Sequence, residues 1–355
     1  MSSGLIFRAG PAAYAAIHRD GFDPSMIGTF AGASGGAKWL VLSQLDRVVA
    51  TELLPSIQGP VHTIGTSIGA WRFACYLQSD PLAALTRFER TYIEQTYSDK
   101  PDRREITEKS VAILNEVIPD SEVQYILSHP QMRMHVMTVR SRHVLASEKT
   151  PLLLAGLAAT AGMNALSRRS LGAFFERALF YDSRDHPPFL GLDGFPLQEV
   201  VLSADNLKEA VLATGSIPLV LEGVANIAGA RPGVYRDGGV IDYHLDLPHS
   251  DSGRLAVFLH FYDWLTPGWF DKKLSWRKPR VEHIDHTLMI SPSPEFVKSL
   301  PYSKIPDRHD FTRYPEAERI RIWREVVDRC GQLADEFAEV LATGRLADQV
   351  VRWND

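Results

Sequence analysis

The first eighty residues alternate short apolar runs with amphipathic segments. Short apolar runs predict strands, and apolar residues at every third or fourth position predict helices. In chain order the pattern predicts strand, helix, strand, helix, strand and helix, at Leu5–Phe7, Ala12–Arg19, Met26–Phe30, Gly36–Leu53, Val61–Ile64 and Ile68–Leu77. This alternation is typical of βαβ units, so we expect an α/β fold with a mostly parallel central sheet. Such sheets carry their sites at the carboxyl ends of the strands.

The rest of the chain continues with mixed elements. From Pro81 to Pro130 the pattern is helical, and Arg133–Arg140 alternates as a strand does. Later segments predict a helix at Asn206–Ala213, a buried strand at Leu255–Tyr262 and a long amphipathic helix at Pro315–Leu341. The apolar stripe of this last helix comprises Ile320, Trp323, Val327, Cys330, Phe337 and Leu341. Because neither a repeat nor an obvious linker is visible, we expect residues 1–355 to form a single elaborated domain.

Composition and charge restrict the class of protein. With 355 residues, of which 45% are hydrophobic and 23% charged, the chain can build a large core. A net charge of -5 without a run of Lys and Arg disfavours nucleic-acid binding. Cys75 and Cys330 each lie in an apolar helical pattern, which predicts buried thiols and neither a disulfide nor a structural zinc.

The sequence also bears on the cellular compartment and on contact with a membrane. The first residues lack a basic segment followed by an apolar one, so we expect a cytoplasmic protein. The most apolar run, Pro151–Leu166, is too short and too interrupted to predict a membrane span. Together with Arg168, Arg169 and the aromatic run Phe174–Tyr181, it is either a lid or interfacial segment with a basic edge, or a buried helix. Peripheral membrane contact therefore stays open.

Two five-residue segments match the nucleophile-elbow pattern Gly-x-Ser-x-Gly. They are Gly32–Gly36, centred on Ser34, and Gly65–Gly69, centred on Ser67. The chemistry needs glycines because the turn from strand to helix is crowded, while the serine Oγ must project and backbone N–H groups must face an oxyanion. Each segment follows a predicted strand and precedes a predicted helix, which is the context that the pattern requires.

A serine nucleophile of this kind also needs a base and an oxyanion loop, and the sequence offers a candidate for each. Asp237 ends a short apolar run and precedes Gly238 and Gly239, which let other backbone approach it closely. Upstream of Ser34, the first predicted strand ends at Gly10 and runs directly into a helix. Asp237 is therefore a candidate base, although an Asp-Gly-Gly turn is also common as a tight turn, and the amides of Gly10 and Gly35 are candidate donors to an oxyanion.

The order of these motifs resembles that of the patatin-like phospholipase family. The shared features, over roughly residues 5–248, are an oxyanion loop after the first strand, the elbow at Gly32–Gly36, the Ala213–Pro218 segment (ATGSIP) and Asp237–Gly239 (DGG). The resemblance implies a three-layer α/β/α fold and a Ser34–Asp237 dyad that needs no histidine. It assigns residues 5–248 to a catalytic core and 249–355 to a C-terminal strand and helical extension. In place of a glycine-rich oxyanion loop, this chain has the single Gly10.

Several alternatives for the site remain open. Ser67 is a second candidate nucleophile or a pocket residue, and Arg72 is a candidate ligand for an anionic head group. Lys38 lies one helical turn after Ser34 and is either a base or a solvated charge. A Ser–Asp–His triad would use His244. The set Asp237, Asp242, His244, Asp246 and His249 contains metal-ligand types, but their spacing matches no recognised metal site.

Taken together, these features predict a serine acyl-hydrolase that cleaves acyl esters of lipids, or small esters, through an acyl-enzyme and without a cofactor. The aromatic segment Asp263–Phe270 suits either a lipid interface or local packing. Two other functions stay open. One is an acyltransferase on the same fold, and the other is a lipid-binding protein in which the elbow is only structural.

Overall fold

The computed structural model describes residues 3–250 and 253–353. Within these ranges eleven strands form one sheet. The strands are β1 (Leu5–Ala9), β2 (Ile27–Gly32), β3 (Val61–Gly65), β4 (Met132–Ser141), β5 (Phe175–Tyr181), β6 (Leu197–Val201), β7 (Val224–Ala225), β8 (Val234–Asp237), β9 (Leu255–Leu259), β10 (Thr287–Pro292) and β11 (Val350–Arg352).

The sheet is mixed, and most of its strand pairs are parallel. The order is β11-β1-β10-β9-β2-β3-β4-β5-β6, while β8 pairs with both β4 and β7. The pairs β1–β10, β4–β5, β4–β8 and β7–β8 are antiparallel, and the other six are parallel. Strands β9, β10 and β11, which come from the last third of the chain, pair with β2 and β1. The predicted α/β class with a mostly parallel sheet is confirmed.

Helices flank the sheet. The α-helices are α1 (Pro11–Asp20), α2 (Ser43–Val48), α3 (Ile68–Tyr76), α4 (Pro81–Glu94), α5 (Arg103–Val117), α6 (Asp120–Ser128), α7 (Thr150–Leu166), α8 (Leu171–Phe174), α9 (Leu207–Gly215), α10 (Val281–Ile284), α11 (Pro294–Ser299), α12 (Asp310–Arg313), α13 (Glu316–Arg329), α14 (Gly331–Thr343) and α15 (Leu346–Gln349). Helices α1 and α14 contact β1, α3 contacts β2, β3 and β4, and α9 contacts β4.

The predicted alternation over the first eighty residues is confirmed, with differences in helix geometry. The segment predicted as one helix at Gly36–Leu53 is a 3₁₀-helix at Gly36–Leu42, then α2, then a π-helical turn at Val49–Leu53. The long helix predicted near the C-terminus is broken at Cys330 into α13 and α14. Most of the aromatic run after Arg169 is a strand, because Phe174 ends the short helix α8 and Phe175–Tyr181 forms the buried strand β5. Cys75 and Cys330 are buried free thiols, as predicted.

Arg72 has a structural role that the sequence did not indicate. Its guanidinium is 2% exposed and forms a bidentate ion pair with the buried carboxylate of Asp46, with Nε 2.8 Å from Oδ2. The hydroxyl of Tyr76 donates to the same carboxylate at 2.6 Å. These contacts join α3 to α2. The candidate role of Arg72 as a ligand for an anionic head group is not supported by this geometry, because its side chain is buried and two of its nitrogens donate to Asp46.

Substitution of the buried partner tests this junction. We expect Asp46→Asn to lower the free energy of unfolding by about 3–5 kcal/mol, because it leaves the Arg72 charge buried without its counter-charge. Urea denaturation measures the change. The matched control is Glu116→Gln, which removes a carboxylate from an exposed pair with Arg90 and should cost about 0–1 kcal/mol. Equal effects of the two substitutions would contradict the assigned role of the Asp46–Arg72 pair.

Candidate active site

The register of the sheet brings both elbow segments to the same edge. Gly32 at the end of β2 is paired with Gly65 at the end of β3, so Ser34 and Ser67 each lie two residues beyond a paired glycine. Asp237 arrives from the far side, because β8 runs antiparallel to β4 and pairs Asp237 with Thr138. Two hydroxyl groups and one carboxylate therefore meet at the carboxyl ends of the parallel strands.

The carboxylate of Asp237 accepts two short hydrogen bonds and lies near a second serine hydroxyl. The Ser67 hydroxyl donates to Oδ2 at 2.8 Å, and the backbone N–H of Gly239 donates to Oδ1 at 2.7 Å. The hydroxyl of Ser34 is 3.4 Å from Oδ1, at the long limit of a hydrogen bond. All three side chains are buried, with Asp237 the most accessible at 6% exposure. Ser67 thus has the shorter and stronger link to the carboxylate.

The backbone of Ser67 is strained. Its φ of 51° and ψ of -128° lie outside the regions that a residue with a side chain ordinarily occupies. The residue stands between the end of β3 and the first turn of α3, and its N–H donates to the Thr214 hydroxyl at 2.8 Å. Such a strained residue at a strand-to-helix turn is the geometry of a nucleophile elbow.

Ser34 lies in a turn of a different kind. Its hydroxyl donates to the Thr66 hydroxyl at 3.0 Å, and its backbone N–H donates to the Tyr243 carbonyl oxygen at 2.9 Å. The next residues, Gly36 and Ala37, open a 3₁₀-helix, so their N–H groups have no acceptor within that helix. The Gly32–Gly36 segment therefore brings backbone donors to the same edge as Ser67.

Glycines allow the two turns to touch. A Cβ on Gly69 would lie 2.1 Å from the carbonyl oxygen of Gly32, and one on Gly65 would lie 2.5 Å from the Ala70 nitrogen. A Cβ on Gly239 would lie 2.2 Å from the Ser34 Oγ. The glycines that the sequence singled out at these positions are thus required by close approach of the backbone or of the serine hydroxyl.

Gly10 does not reach this edge. Because β1 runs antiparallel to β10, the end of β1 lies at the opposite edge of the sheet from the ends of β2 and β3. The Gly10 N–H donates to the Thr287 carbonyl oxygen at 2.9 Å, and a Cβ on Gly10 would lie 1.9 Å from the Ile284 carbonyl oxygen. The prediction that Gly10 binds an oxyanion is wrong, since its amide is occupied and distant from the serines.

Electrostatics at the site depend mainly on burial. Burial raises the pKa of Asp237 to about 6, while the hydrogen bonds from Ser67 and from the Gly239 N–H oppose that rise. The Lys272 ammonium lies 3.8 Å from the centroid of the Tyr243 ring. Desolvation, followed by the charges of Lys38 and Arg308, lowers the pKa of Lys272 to about 7. The Asp237 carboxyl group therefore changes its protonation state close to neutral pH, as groups at functional sites often do.

The other candidate groups have partners of their own. The His244 Nδ1 accepts from the Thr266 N–H at 2.9 Å, and in the described ranges no hydrogen bond joins His244 to Asp237 or to either serine. The Lys38 Nζ lies 5.5 Å from the centroid of the Phe261 ring and is not hydrogen-bonded to a serine in the described structure. Neither a histidine triad nor a lysine base is thus assembled.

The acidic and histidine side chains after Asp237 do not converge. Asp242 forms a bidentate pair with Arg177, Asp246 pairs with His283, and His249 is hydrogen-bonded to Thr287. Among residues 3–250 and 253–353, no group of three or more His, Cys, Asp or Glu side chains is arranged to hold a metal ion.

The aromatic segment Asp263–Phe270 divides between its two predicted roles. Trp264 is exposed and stacks on Tyr262 with ring centroids 4.3 Å apart. Trp269 and Phe270 are half-buried and pack against an apolar cluster that includes Val240. Local packing explains two of the three large rings.

Three residues that hold the site together were not predicted from the sequence. Thr66 joins Ser34 to the Asp242 carbonyl oxygen, and Thr214 links the Ser67 N–H to the Met137 carbonyl oxygen. The carbonyl oxygen of Tyr243 holds the Ser34 N–H. Thr66 lies inside the GTSIG segment and Thr214 inside the ATGSIP segment. A hydroxyl side chain within each motif is therefore the sequence signal that indicates them.

Similarity to known proteins is found among solved structures. No protein-family model matches the sequence, and no curated protein matches it. Among solved structures, the crystal structure of VipD from Legionella pneumophila is similar with a TM-score of 0.37 and 11% sequence identity. The similarity covers 93% of this chain and 72% of that one. None of the helices in the described ranges is long and apolar enough to cross a membrane.

The contact between the two turns yields a prediction for Gly69→Ala. The new methyl group would meet the Gly32 carbonyl oxygen, so we expect a loss of about 1–3 kcal/mol in the free energy of unfolding. The matched control is Gly162→Ala in the exposed part of α7, where no atom lies within 4 Å of the new Cβ. That control should gain about 0.5–1 kcal/mol from better helix propensity. A neutral Gly69→Ala would show that the turns are not in close contact.

Proposed function

We propose that the protein is a serine acyl-hydrolase in which Ser67 is the nucleophile and Asp237 is the base. The observation that carries the proposal is the 2.8 Å hydrogen bond from the Ser67 hydroxyl to Asp237, made by a serine with φ of 51° and ψ of -128°. Maintaining such a strained residue costs about 1–3 kcal/mol, and strain of this kind clusters at functional sites. Ser34, the nucleophile expected from the sequence, is the second candidate.

The chemistry follows from the positions of the groups. Asp237 takes the proton of Ser67 as the Oγ attacks the carbonyl carbon of an ester, and the carbonyl electron pair moves to the oxygen. Backbone N–H groups of the Gly35–Ala37 turn and of Ile68, next to the nucleophile, are suited to hold that oxyanion. Protonated Asp237 then returns the proton to the leaving alkoxide. Asp237 then deprotonates a water molecule, whose oxygen attacks the acyl carbon; the bond to the Ser67 Oγ breaks, Asp237 returns the proton to Oγ, and the acid is released.

With Ser67 as the nucleophile, the motif order fits that of the patatin-like family better than it does with Ser34 as the nucleophile. The glycine-rich segment Gly32–Gly36 takes the place of the oxyanion loop, and Gly65–Gly69 takes the place of the elbow. Asp237–Gly239 keeps its role. The single Gly10 then no longer has to substitute for a glycine-rich loop.

The nucleophile is tested with a fluorophosphonate probe followed by peptide mapping. We expect the adduct on Ser67 in the wild-type protein, and we expect labelling to be lost in Ser67→Ala and reduced at least about 100-fold in Asp237→Asn, in line with the loss of a general base. Ser34→Ala should still be labelled on Ser67. As a control, Ser43→Ala removes a buried serine hydroxyl that contacts only the Leu40 carbonyl oxygen, and labelling should not change.

Two outcomes contradict the proposal. An adduct on Ser34 that survives in Ser67→Ala would make Ser34 the nucleophile, as the sequence first indicated. No adduct in any folded variant would favour the catalytically silent lipid-binding protein. Circular dichroism of each variant confirms that the fold is intact.

The pH dependence of labelling tests the base. Because the pKa of Asp237 is raised to about 6, the carboxyl group is protonated below that pH and cannot accept the serine proton. We therefore expect the labelling rate to rise as the pH increases through about 6 and to level off above it. Ser34→Ala should give the same profile. A rate that does not change between about pH 5 and 8 is incompatible with Asp237 as the base.

The substrate class that we propose is an acyl ester of a lipid or a small ester. It is supported by the motif order and by the apolar ring of Phe261, which lies next to Gly35. A fatty-acyl p-nitrophenyl ester is a suitable first substrate. Release of free acid, even with an alcohol acceptor present, indicates a hydrolase, whereas an acylated acceptor indicates an acyltransferase.

A further inference from the structure

Helix α7 is a surface helix whose outer side carries no charge. The residues that it buries are Leu153, Gly156, Leu157, Thr160 and Asn164, which recur at the three- and four-residue spacing of one helical face. The residues from Pro151 to Leu166 outside this set are all exposed, and each is Ala, Gly, Leu, Met or Pro. A soluble helix ordinarily places polar side chains there, so this face lacks the polar side that water favours.

Neighbouring side chains extend the apolar area. Val144 packs beside α7, since a Cβ on Gly156 would lie 2.9 Å from its methyl group. Trp276, which is 65% exposed, lies next to Arg277, whose guanidinium donates to the Asn164 carbonyl oxygen of α7 at 2.9 Å. Leu166 at the end of α7 is 83% exposed. We call this area the α7 surface, and its large exposed side chains are Val144, Leu152, Leu154, Met163, Leu166 and Trp276.

The segments around the α7 surface are basic. Exposed cations without an ion pair in the described structure include Lys149, Arg169, Lys273, Lys278 and Arg280. Between residues 143 and 170 the one acidic residue is Glu148, and between 264 and 280 it is Asp271. Glu148 pairs with Arg103 and Arg236, and the buried Asp271 pairs with Arg168. A chain with a net charge of -5 thus presents unpaired positive charge around this apolar area.

We propose that the α7 surface docks on an anionic lipid bilayer. Apolar side chains would enter the boundary between head groups and acyl chains, and the cations around them would face anionic head groups. Charge complementarity selects this partner. A second copy of the chain packed on the same face would bring the two sets of unpaired cations together and repel. Helix α7 has 17 residues, so docking places it in the interface and not across the membrane.

The α7 surface is connected to the candidate site. Leu153 and Leu157 on the inner face of α7 pack in one cluster with Val240 and Ile241, which closely follow Asp237. The Asn164 side chain also donates to the Asp271 carboxylate at 2.7 Å. Docking would therefore bring the carboxylate-bearing segment close to the lipid. The docking proposal nevertheless rests on the surface alone and does not require the serine chemistry.

Co-sedimentation with vesicles tests the proposal on the full-length protein. We expect binding to vesicles of phosphatidylcholine and phosphatidylglycerol, and binding at least about tenfold weaker to phosphatidylcholine alone. Leu154→Glu combined with Leu166→Glu should weaken binding to the anionic vesicles at least about tenfold, because charge enters the apolar face. The matched control is Leu82→Glu on α4, an exposed leucine of a distant helix, which should bind as the wild type does.

A second arm tests the cations. Arg169→Gln combined with Lys273→Gln should weaken binding to anionic vesicles, and added salt should reduce the difference between this variant and the wild type. Three results would overturn the proposal. They are absence of wild-type binding to either vesicle, an equal loss in Leu82→Glu, and a dimer seen by light scattering that Leu154→Glu dissociates. Fluorophosphonate labelling of the same variants without vesicles reports separately on the serine site.

Discussion

The sharing of one buried carboxylate between two serine hydroxyls is the interaction on which the rest of the site depends. For both serines to reach Asp237, the ends of β2, β3 and β8 must lie within a few ångströms of one another. The sheet achieves this by pairing β2 with β3 in parallel and β8 with β4 in the opposite direction. Side chains are then excluded at Gly69 and Gly239, so the glycine pattern is a consequence of the shared carboxylate.

The burial of Asp237 has an energetic consequence. No cation forms an ion pair with it in the described ranges, and burial outweighs the hydrogen bonds from Ser67 and Gly239 and the nearby charge of Lys272, so its pKa stays raised at about 6. Asp46 differs from Asp237, because its negative charge is neutralised by a bidentate ion pair with Arg72. The two buried carboxylates, Asp46 and Asp237, therefore differ in whether a cation neutralises them. One holds helices together, and the other is left available to accept a proton.

Much of the framework could be predicted from local patterns, because strands and helices of this fold have distinct apolar spacing. The sequence also identified Ser34, Ser67 and Asp237 as the candidates, and the structure brings the three together. A local pattern does not indicate strand direction. The sequence therefore predicted Gly10 beside the serines, whereas the antiparallel β1 ends at the opposite edge of the sheet. Nor does it contain backbone strain. GASGG and GTSIG match the same motif, and what distinguishes Ser67 is its dihedral angles and its shorter hydrogen bond to Asp237.

The same limit applies to long-range pairs and to surfaces. Nothing near Arg72 in the sequence indicates that Asp46, on another helix, neutralises it. The apolar run of α7 predicted either a buried or an interfacial helix, and only the packing of its neighbours shows that most of it is exposed. Burial is a property of the whole chain, and a segment of 17 residues does not determine it.

The uneven distribution of charge also has a consequence for the approach to a charged surface. At long distance an anionic surface repels a body with a net charge of -5. At an ionic strength of about 0.1 M, however, the field of each charge decays over a Debye length of about 10 Å. Only the charges on the nearest face of the protein then interact with the surface, and the charges on the rest of the molecule are screened. Orientation at contact would therefore be selected by the local sign of charge, and diluting the salt would restore the repulsion of the whole.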